Sequence, residues 1–499
     1  MTAGALLAPL RAGWRYAWPA DLRERLALLA LLAWAAALRL LFLREPIRFD
    51  EAANALYYGD RSLLHAVGGM GGNENHGLAS LSIWIAVRLL GWSEASVRLP
   101  TLLCGVVLCW ALYAGLRWYS GDRVVALAGA GLAAVSPWLV FFSVNARGYI
   151  WQTLAVALLV PLILAARRGT RIPAATLGLW AGAFSAVGAF AARSMLVHAL
   201  GLFAGSVLLS WRRDLLRFHT AWAASTAGFT LVAYSVAVAA HGARGLIGIA
   251  ATLRQPMSQA LAETASACAE VWPGLFGSLG SGPAWLAGAV LVFGGLRAGR
   301  RLLPFAALTA AVLAAGLAVT AVVRVGLYPR VLLPLSALLI PMFALAVGGL
   351  PKALRGLVLA LLLAAYPALW LYQDLPRVRN STGDIAEVRP LAGRLLARPD
   401  LGESILVLPP LLDVGVAFYL RQADVSRAGI HGYGLGLDPA RHCEYRQVLV
   451  FVPDGDTAGG VLAAAGGAPW KPRLIRPGLP EPVSGAHGSL FRIPMTPCP

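Results

Sequence analysis

Apolar stretches near the length of a membrane span recur along this chain from Leu26 to Tyr372 and then stop. A bilayer core of about 30 Å takes roughly 20 apolar residues in a helix, so these stretches point to a helical bundle in lipid. They cover 26–43, 77–91, 99–118, 124–142, 145–166, 174–191, 194–211, 221–240, 283–297, 303–323, 330–349 and 352–372. Composition agrees: 58% of residues are hydrophobic and 13% charged, with a mean hydropathy of +0.67. Soluble chains carry about 25% charged residues. The net charge of +18 invites a nucleic-acid reading. The basic residues bracket apolar segments, however, as cytoplasmic loop charges do, so no nucleic-acid partner is expected.

Charge orders the stretches across the membrane. The stretch 77–91 is short and contains Arg88, so it reads as an amphipathic helix at the interface. The others then form about 11 spans behind a cytoplasmic N-terminal segment, residues 1–25. Arg117 and Arg123 fall at an inner connection, as do Arg167, Arg168 and Arg171, then Arg212, Arg213 and Arg217. Arg297, Arg300 and Arg301 follow, and finally Lys352 and Arg355. Counting 77–91 as a span would put the later clusters outside. No apolar core of a cleavable signal precedes Leu26, so 26–43 is expected to remain as an anchor. The transmembrane domain is thus placed at 26–372. Loops 44–98 and 241–282, and everything after Tyr372, fall on its outer face.

The tail, 373–499, changes composition. Asp384–Arg398 has helical apolar spacing, and Ser404–Leu408, Gln447–Val452 and Ser489–Ile493 resemble strands. The tail reads as a small α/β domain in the periplasm or its equivalent. Cys104 and Cys109 lie in an apolar stretch as packing residues, and the cysteines lack metal-ligand spacing. Cys443 and Cys498 both lie in the tail, where an oxidising compartment permits a disulfide.

Chemistry is best sought at the outer face. Asp50 and Glu51 are adjacent carboxylates just past the first stretch. A partly desolvated carboxylate can act as a general base. Two acids can equally be the first turn of an Asp50–Leu64 helix, meeting its dipole. Next is Asn73-Glu74-Asn75-His76-Gly77, preceded by a glycine-rich turn, where His76 could meet a phosphate or simply face solvent. Arg147 with Tyr149, Arg193, and Arg324 with Tyr328 and Arg330 complete the set. Arginine suits a lipid phosphate at headgroup depth, and also anionic headgroups in general. No Gly-rich phosphate loop, His-Glu-x-x-His or Cys-x-x-Cys motif occurs.

Several of these motifs together resemble bacterial GT-C glycosyltransferases of family 39, the class of dolichyl-phosphate-mannose-protein mannosyltransferases and aminoarabinose transferases. Asp50-Glu51 follows the first span, and Asn75-His76-Gly77 stands where an Asn-His-Pro-Pro-like element is common. Ser96-Val97-Arg98-Leu99-Pro100 is similar to an Arg-Leu-Pro span start. Ser136-Pro137 followed by Ser143 to Tyr149 resembles a Ser-Pro…Ser-x-x-Ala-Arg-x-Tyr stretch. Tyr328-Pro329-Arg330 with Pro334 matches a late span start. Gly77 and Leu78 replace the usual prolines, and Val331 an aromatic.

The resemblance covers roughly residues 26–350 and implies a polytopic GT-C-like bundle with outer juxtamembrane helices. It implies inverting transfer of a sugar from a polyprenyl-phosphate carrier to a glycolipid, polysaccharide or protein acceptor at the outer face of the inner membrane. Asp50 would be the base, and Glu51 would orient Asp50 or the acceptor. His76, Arg147 and Arg330 would bind the donor phosphate, and Tyr149, Arg193, Arg324 and Tyr328 could contact substrate. No cofactor or obligatory metal is expected. The main alternative is a transporter or flippase of a lipid-linked substrate, but no matching halves are visible. A different lipid-linked glycan enzyme and a non-enzymatic scaffold are further alternatives. The Trp-Trp-Asp signature of oligosaccharyltransferases is absent.

Overall fold

Helices occupy every stretch that hydropathy marks as a span. The structure, a computed structural model, describes residues 16–69, 75–209, 215–252, 254–276, 282–373, 388–409, 412–423, 429–431, 443, 445–454, 456, 461, 474, 481–483 and 488–496. Asn73, Glu74, Cys498 and the start of the expected tail helix lie outside these residues.

Among the described residues, 7 helices are long and apolar enough to cross a membrane: Glu94–Ser120, Tyr149–Arg168, Ala174–Ala191, Leu216–Ala240, Leu303–Val323, Pro329–Gly349 and Lys352–Tyr372. The pair Arg123–Val135 and Pro137–Ser143, bent by 61°, makes up to 8. The remaining expected spans fall short. Leu22–Leu40 carries Arg23, Glu24, Arg25 and Arg39, Met195–Leu209 has 15 residues, and Gly282–Ala298 has 17. Gly77–Leu90, at 14 residues, is below span length. The chain is a polytopic helical membrane protein, and among its described residues this measure counts 7 or 8 spans, short of the expected 11.

The bend has a chemical cause. Pro137 has no N–H, so the carbonyl of Ala133 loses its helical partner there. Arg39, fully buried on Leu22–Leu40, donates to that carbonyl (3.2 Å) and to Ala134 O (3.0 Å). Trp370 Nε1 donates to Val135 O at 2.9 Å. Two other helices thus satisfy the groups that proline leaves open. Elsewhere, small residues let backbones meet, as membrane helices favour. A Cβ on Gly294 would stand 2.0 Å from Ala346 O.

Within the expected loop 241–282, Met257–Phe276 is a helix. Ala260, Thr264, Ala267, Val271 and Gly274 are buried on it at helical spacing. Thr264 Oγ1 meets Thr320 Oγ1 at 3.0 Å and accepts from Leu327 N–H at 3.0 Å.

At the end of the bundle where 44–98 meets 144–148, short helices run over Phe49–Asn54, Leu63–Gly68 and Gly77–Leu90. The expected Asp50–Leu64 helix is two pieces: Phe49–Asn54 passes into a π-helical turn, Ala55–Gly59, before the chain turns away. The tail forms a sheet in the order β2-β1-β3-β5-β4. Its strands are β1 (Ser404–Val407), β2 (Gly429–His431), β3 (Gln447–Pro453), β4 (Glu481–Pro482) and β5 (Gly488–Pro494). β1 is parallel to β2 and β3, and β5 is antiparallel to β3 and β4. Helices Val388–Leu396 and Leu412–Gln422 join one face in a core that continues into Ile47, Ala52 and Ala53. Cys443 is disulfide-bonded, while Cys104, Cys109 and Cys268 are free.

Candidate active site

The short Phe49–Asn54 helix organises the site. Arg48 is extended (φ −85°, ψ 154°), and its backbone N–H donates to Glu51 Oε2 at 3.1 Å. Asp50 and Glu51 in the first turn face the positive end of the helix. Residues 48, 51 and 54 share one side by helical spacing, and that side grips the 144–147 junction. Arg48 Nη1 donates to Val144 O (2.9 Å), Ala146 N–H to Glu51 Oε1 (3.0 Å) and Asn54 Nδ2 to Ala146 O (2.9 Å). Asp50 projects from another side of the turn and pairs with Arg147 Nη1.

Glu51 is fully buried. Arg98, also fully buried at the start of Glu94–Ser120, forks onto it through Nε (2.9 Å) and Nη2 (2.6 Å). The same guanidinium donates to Glu45 O (2.7 Å) and Pro46 O (2.8 Å). Burial alone would raise the Glu51 carboxyl, but Arg98 and then Arg48 outweigh it and hold it below its ordinary value. A carboxylate so enclosed has no free side for an acceptor, so of the two expected tasks, orienting Asp50 or orienting the acceptor, the geometry offers the first. It holds the helix that presents Asp50.

Arg147 is the hub of the second half. Its Nη1 meets Asp50, its Nε donates to His76 Nε2 at 3.3 Å, and its guanidinium lies 5.0 Å from the Tyr149 ring centre. His76 donates through Nδ1 to Ala191 O at 3.1 Å, the tautomer that leaves Nε2 as the acceptor for Arg147. Burial, then Arg147, holds the imidazole well below its usual value. His76 is therefore a buried support for Arg147 with both ring nitrogens engaged, rather than the solvent-facing loop residue of the simpler expectation. Gly148 makes this contact possible: a Cβ there would stand 1.8 Å from Ala191 O and 2.9 Å from His76 Nδ1.

Arg330 enters from the start of Pro329–Gly349. It lies within electrostatic reach of Tyr149, Asp50 and Tyr328 and 4.8 Å from the Tyr328 ring centre. Its Nε is buried without a hydrogen-bond partner among the described residues. Arg193 and Arg330 are both within electrostatic reach of His76. Arg147, Arg193 and Arg330 thus share this region with Asp50, and such a local excess of positive charge suits a phosphate. Tyr328 is 48% exposed beside it. Arg324 does not join the cluster by any described contact; it is exposed, caps Leu303–Val323 with a left-handed backbone (φ 61°), and its carbonyl accepts from Gln255 N–H at 3.0 Å. Among the described residues no group of three or more His, Cys, Asp or Glu is arranged to hold a metal.

Sequence reasoning missed Arg98, Arg48 and Asn54 as parts of the site. Arg98 carried a usable signal: an arginine at the end of an apolar helix is costly unless paired.

No family model matches the chain, and no curated protein matches it in sequence. Solved structures do match in fold. The structure of ArnT from Cupriavidus metallidurans bound to undecaprenyl phosphate is 11% identical, with a TM-score of 0.60 over 93% of this chain and 97% of that one. The apo structure of the same protein gives 12% identity and a TM-score of 0.59. The arabinofuranosyltransferase AftD from Mycobacteria gives 17% identity and a TM-score of 0.53, over 94% of this chain and 40% of AftD. The chain therefore has the GT-C fold of membrane-embedded glycosyltransferases.

Two outcomes are expected. Glu51→Gln leaves Arg98 buried without its counter-charge and should destabilise the fold by about 3 kcal/mol or more. Thermal unfolding in detergent measures it, and an unchanged midpoint would show that the pair is dispensable. His76 is held neutral, so its folded pKa lies below the unfolded value of about 6.5. Below about pH 6.5 the unfolded chain takes up a proton that the fold refuses, so stability falls with falling pH until the folded pKa is reached. Glu51, held low, stays ionised near pH 6 and adds no slope there. The wild-type unfolding midpoint should drop between about pH 7 and pH 5.5, and His76→Gln should lack that component. Equal slopes would refute the neutral assignment.

Proposed function

We propose that this protein is an inverting glycosyltransferase that moves a sugar from a polyprenyl-phosphate donor to an acceptor at the outer face of the bacterial inner membrane. The observation that carries the reading is the meeting of Asp50 with Arg147 and Arg330, with Arg193 near the adjoining His76, at one end of a GT-C bundle. A half-buried carboxylate beside fixed cations is the arrangement that attack on a phosphate-activated sugar requires. The ArnT structure of the same fold contains undecaprenyl phosphate.

In this mechanism Asp50 accepts the proton of the acceptor hydroxyl as that oxygen attacks the anomeric carbon. The bond from that carbon to the phosphate oxygen breaks, its electron pair stays with the phosphate, and the configuration inverts. Arg147 fixes Asp50 through one carboxylate oxygen and leaves the other for the acceptor. Arg330, whose Nε seeks an acceptor, and Arg193 stabilise the charge that grows on the leaving phosphate. Phosphate leaves readily, so no protein acid is needed, and arginine serves where a metal could. Glu51 and His76 position Asp50 and Arg147. Positive-inside charge supports a cytoplasmic segment 1–25, a membrane domain 26–372 and a periplasmic domain 373–499. The disulfide-bonded Cys443 suits an oxidising compartment.

Asp50→Asn should fold normally and lose at least about 100-fold in transfer from a polyprenyl-phosphate sugar, followed by product mass spectrometry. Near-normal turnover would remove Asp50 from the mechanism. Arg330→Ala should raise the donor KM or abolish turnover, because the phosphate loses a cation. Unchanged donor kinetics would sink that role.

A further inference from the structure

One tail helix, Leu412–Gln422, lies against the helix that carries Asp50 and Glu51. Ala52 and Ala53 share a buried cluster with Leu412, Val416 and Leu420. Polar contacts from the same helix hold both ends of the Phe49–Gly59 segment. Before it, the backbone N–H of fully buried Ile47 donates to the Tyr419 hydroxyl at 3.0 Å. After it, Arg421 donates to Asp60 through Nε (2.8 Å) and Nη2 (3.2 Å). Arg389, on the neighbouring tail helix, donates to Tyr419 Oη (3.3 Å), Arg44 O (2.7 Å) and Glu94 (2.7 Å). Trp92 Nε1 donates to Phe418 O at 3.1 Å. The second half of the bracketed segment, Ala55–Gly59, is π-helical, a form that recurs at functional sites.

We infer that Tyr419 and Arg421 are positioning residues through which the C-terminal domain sets the place of Asp50 relative to Arg147; this rests on the transferase reading above. Asp50 rides on the bracketed helix, whereas Arg147, Arg193 and Arg330 belong to other elements. Loosening either end of the helix moves the base and its contacts with the 144–147 junction, and leaves Arg193 and Arg330, the cations assigned to the leaving phosphate, on their own elements. Displacement of a reacting group by about 1 Å can cost about 100-fold in rate. The domain therefore acts on the chemical step rather than on donor binding.

The test uses the full-length protein in detergent or nanodiscs, with Tyr419→Phe, Arg421→Gln and the double variant. Tyr419→Phe keeps the ring and removes only the hydroxyl. It should lower kcat by about tenfold at unchanged donor KM, and the double variant should lower it further. Amide hydrogen exchange over residues 47–54 should rise in both. The swap Asp60→Arg with Arg421→Asp should restore what either single change loses. Wild-type kcat together with wild-type exchange in Tyr419→Phe would overturn the inference. So would a parallel loss of kcat, donor affinity and folded protein, the mark of a merely structural contact. If the wild type transfers no sugar from any polyprenyl-phosphate donor, the transferase reading fails. The exchange measurement then decides the clamp alone, and unchanged protection of 47–54 in Tyr419→Phe refutes it.

Discussion

The fork of Arg98 onto Glu51 joins three stretches of chain that are distant in sequence, 45–54, the start of Glu94–Ser120 and 144–147. The guanidinium ends at the start of the Glu94–Ser120 span and gathers the turn through Glu45 and Pro46. Through Glu51 it fixes the helix of Asp50, and through Ala146 N–H it fixes the junction that carries Arg147. Both charges are fully buried, so each is tolerable only because the other is present and every direction around it is hydrogen-bonded. Such a pair adds little net stability compared with an apolar substitute. What it does supply is a set of directional bonds that ties the three stretches to one another.

Around that fixed centre the site divides into supports and reactive groups. Glu51 and His76 both have ionisable side chains, yet their surroundings lock them in one state, anionic and neutral respectively. Asp50 is paired on one oxygen and 23% exposed, so it keeps a face for chemistry. Arg330 keeps an unpartnered Nε. Neighbours in sequence therefore have different parts: adjacent residues on a helix point about 100° apart, and one side meets the protein core while the other meets the pocket. The same economy appears at the Pro137 bend, where Arg39 and Trp370 satisfy carbonyls that a proline releases inside the membrane.

Much of the fold was legible in the sequence. Hydropathy located a helix at each stretch, and short apolar runs bounded by Pro, Gly or charged residues located the three central strands β1, β3 and β5. The two short edge strands, β2 and β4, carry too few residues for a periodic signal. Met257–Phe276 escaped because much of its buried face is alanine, threonine and glycine, which hydropathy does not distinguish from a loop. In the site, Asp50 and Arg147 were visible as charges at span boundaries. Arg98 was visible as a charge at a span start but not as the partner of Glu51, and Tyr419 was not visible at all, since its partner Ile47 is 372 residues away.

The sequence by itself determined that this is a multi-span helical protein with an α/β tail and with carboxylates and arginines gathered at span ends. Those are local properties, written in hydropathy, charge and spacing. Only the tertiary structure decided that Glu51 is a buried ion-pair partner, that His76 is neutral, that Arg324 stands apart and that the tail holds the Asp50 helix at both ends. Each of those facts depends on desolvation and on contacts between segments far apart in the chain, and neither quantity exists until the chain has folded.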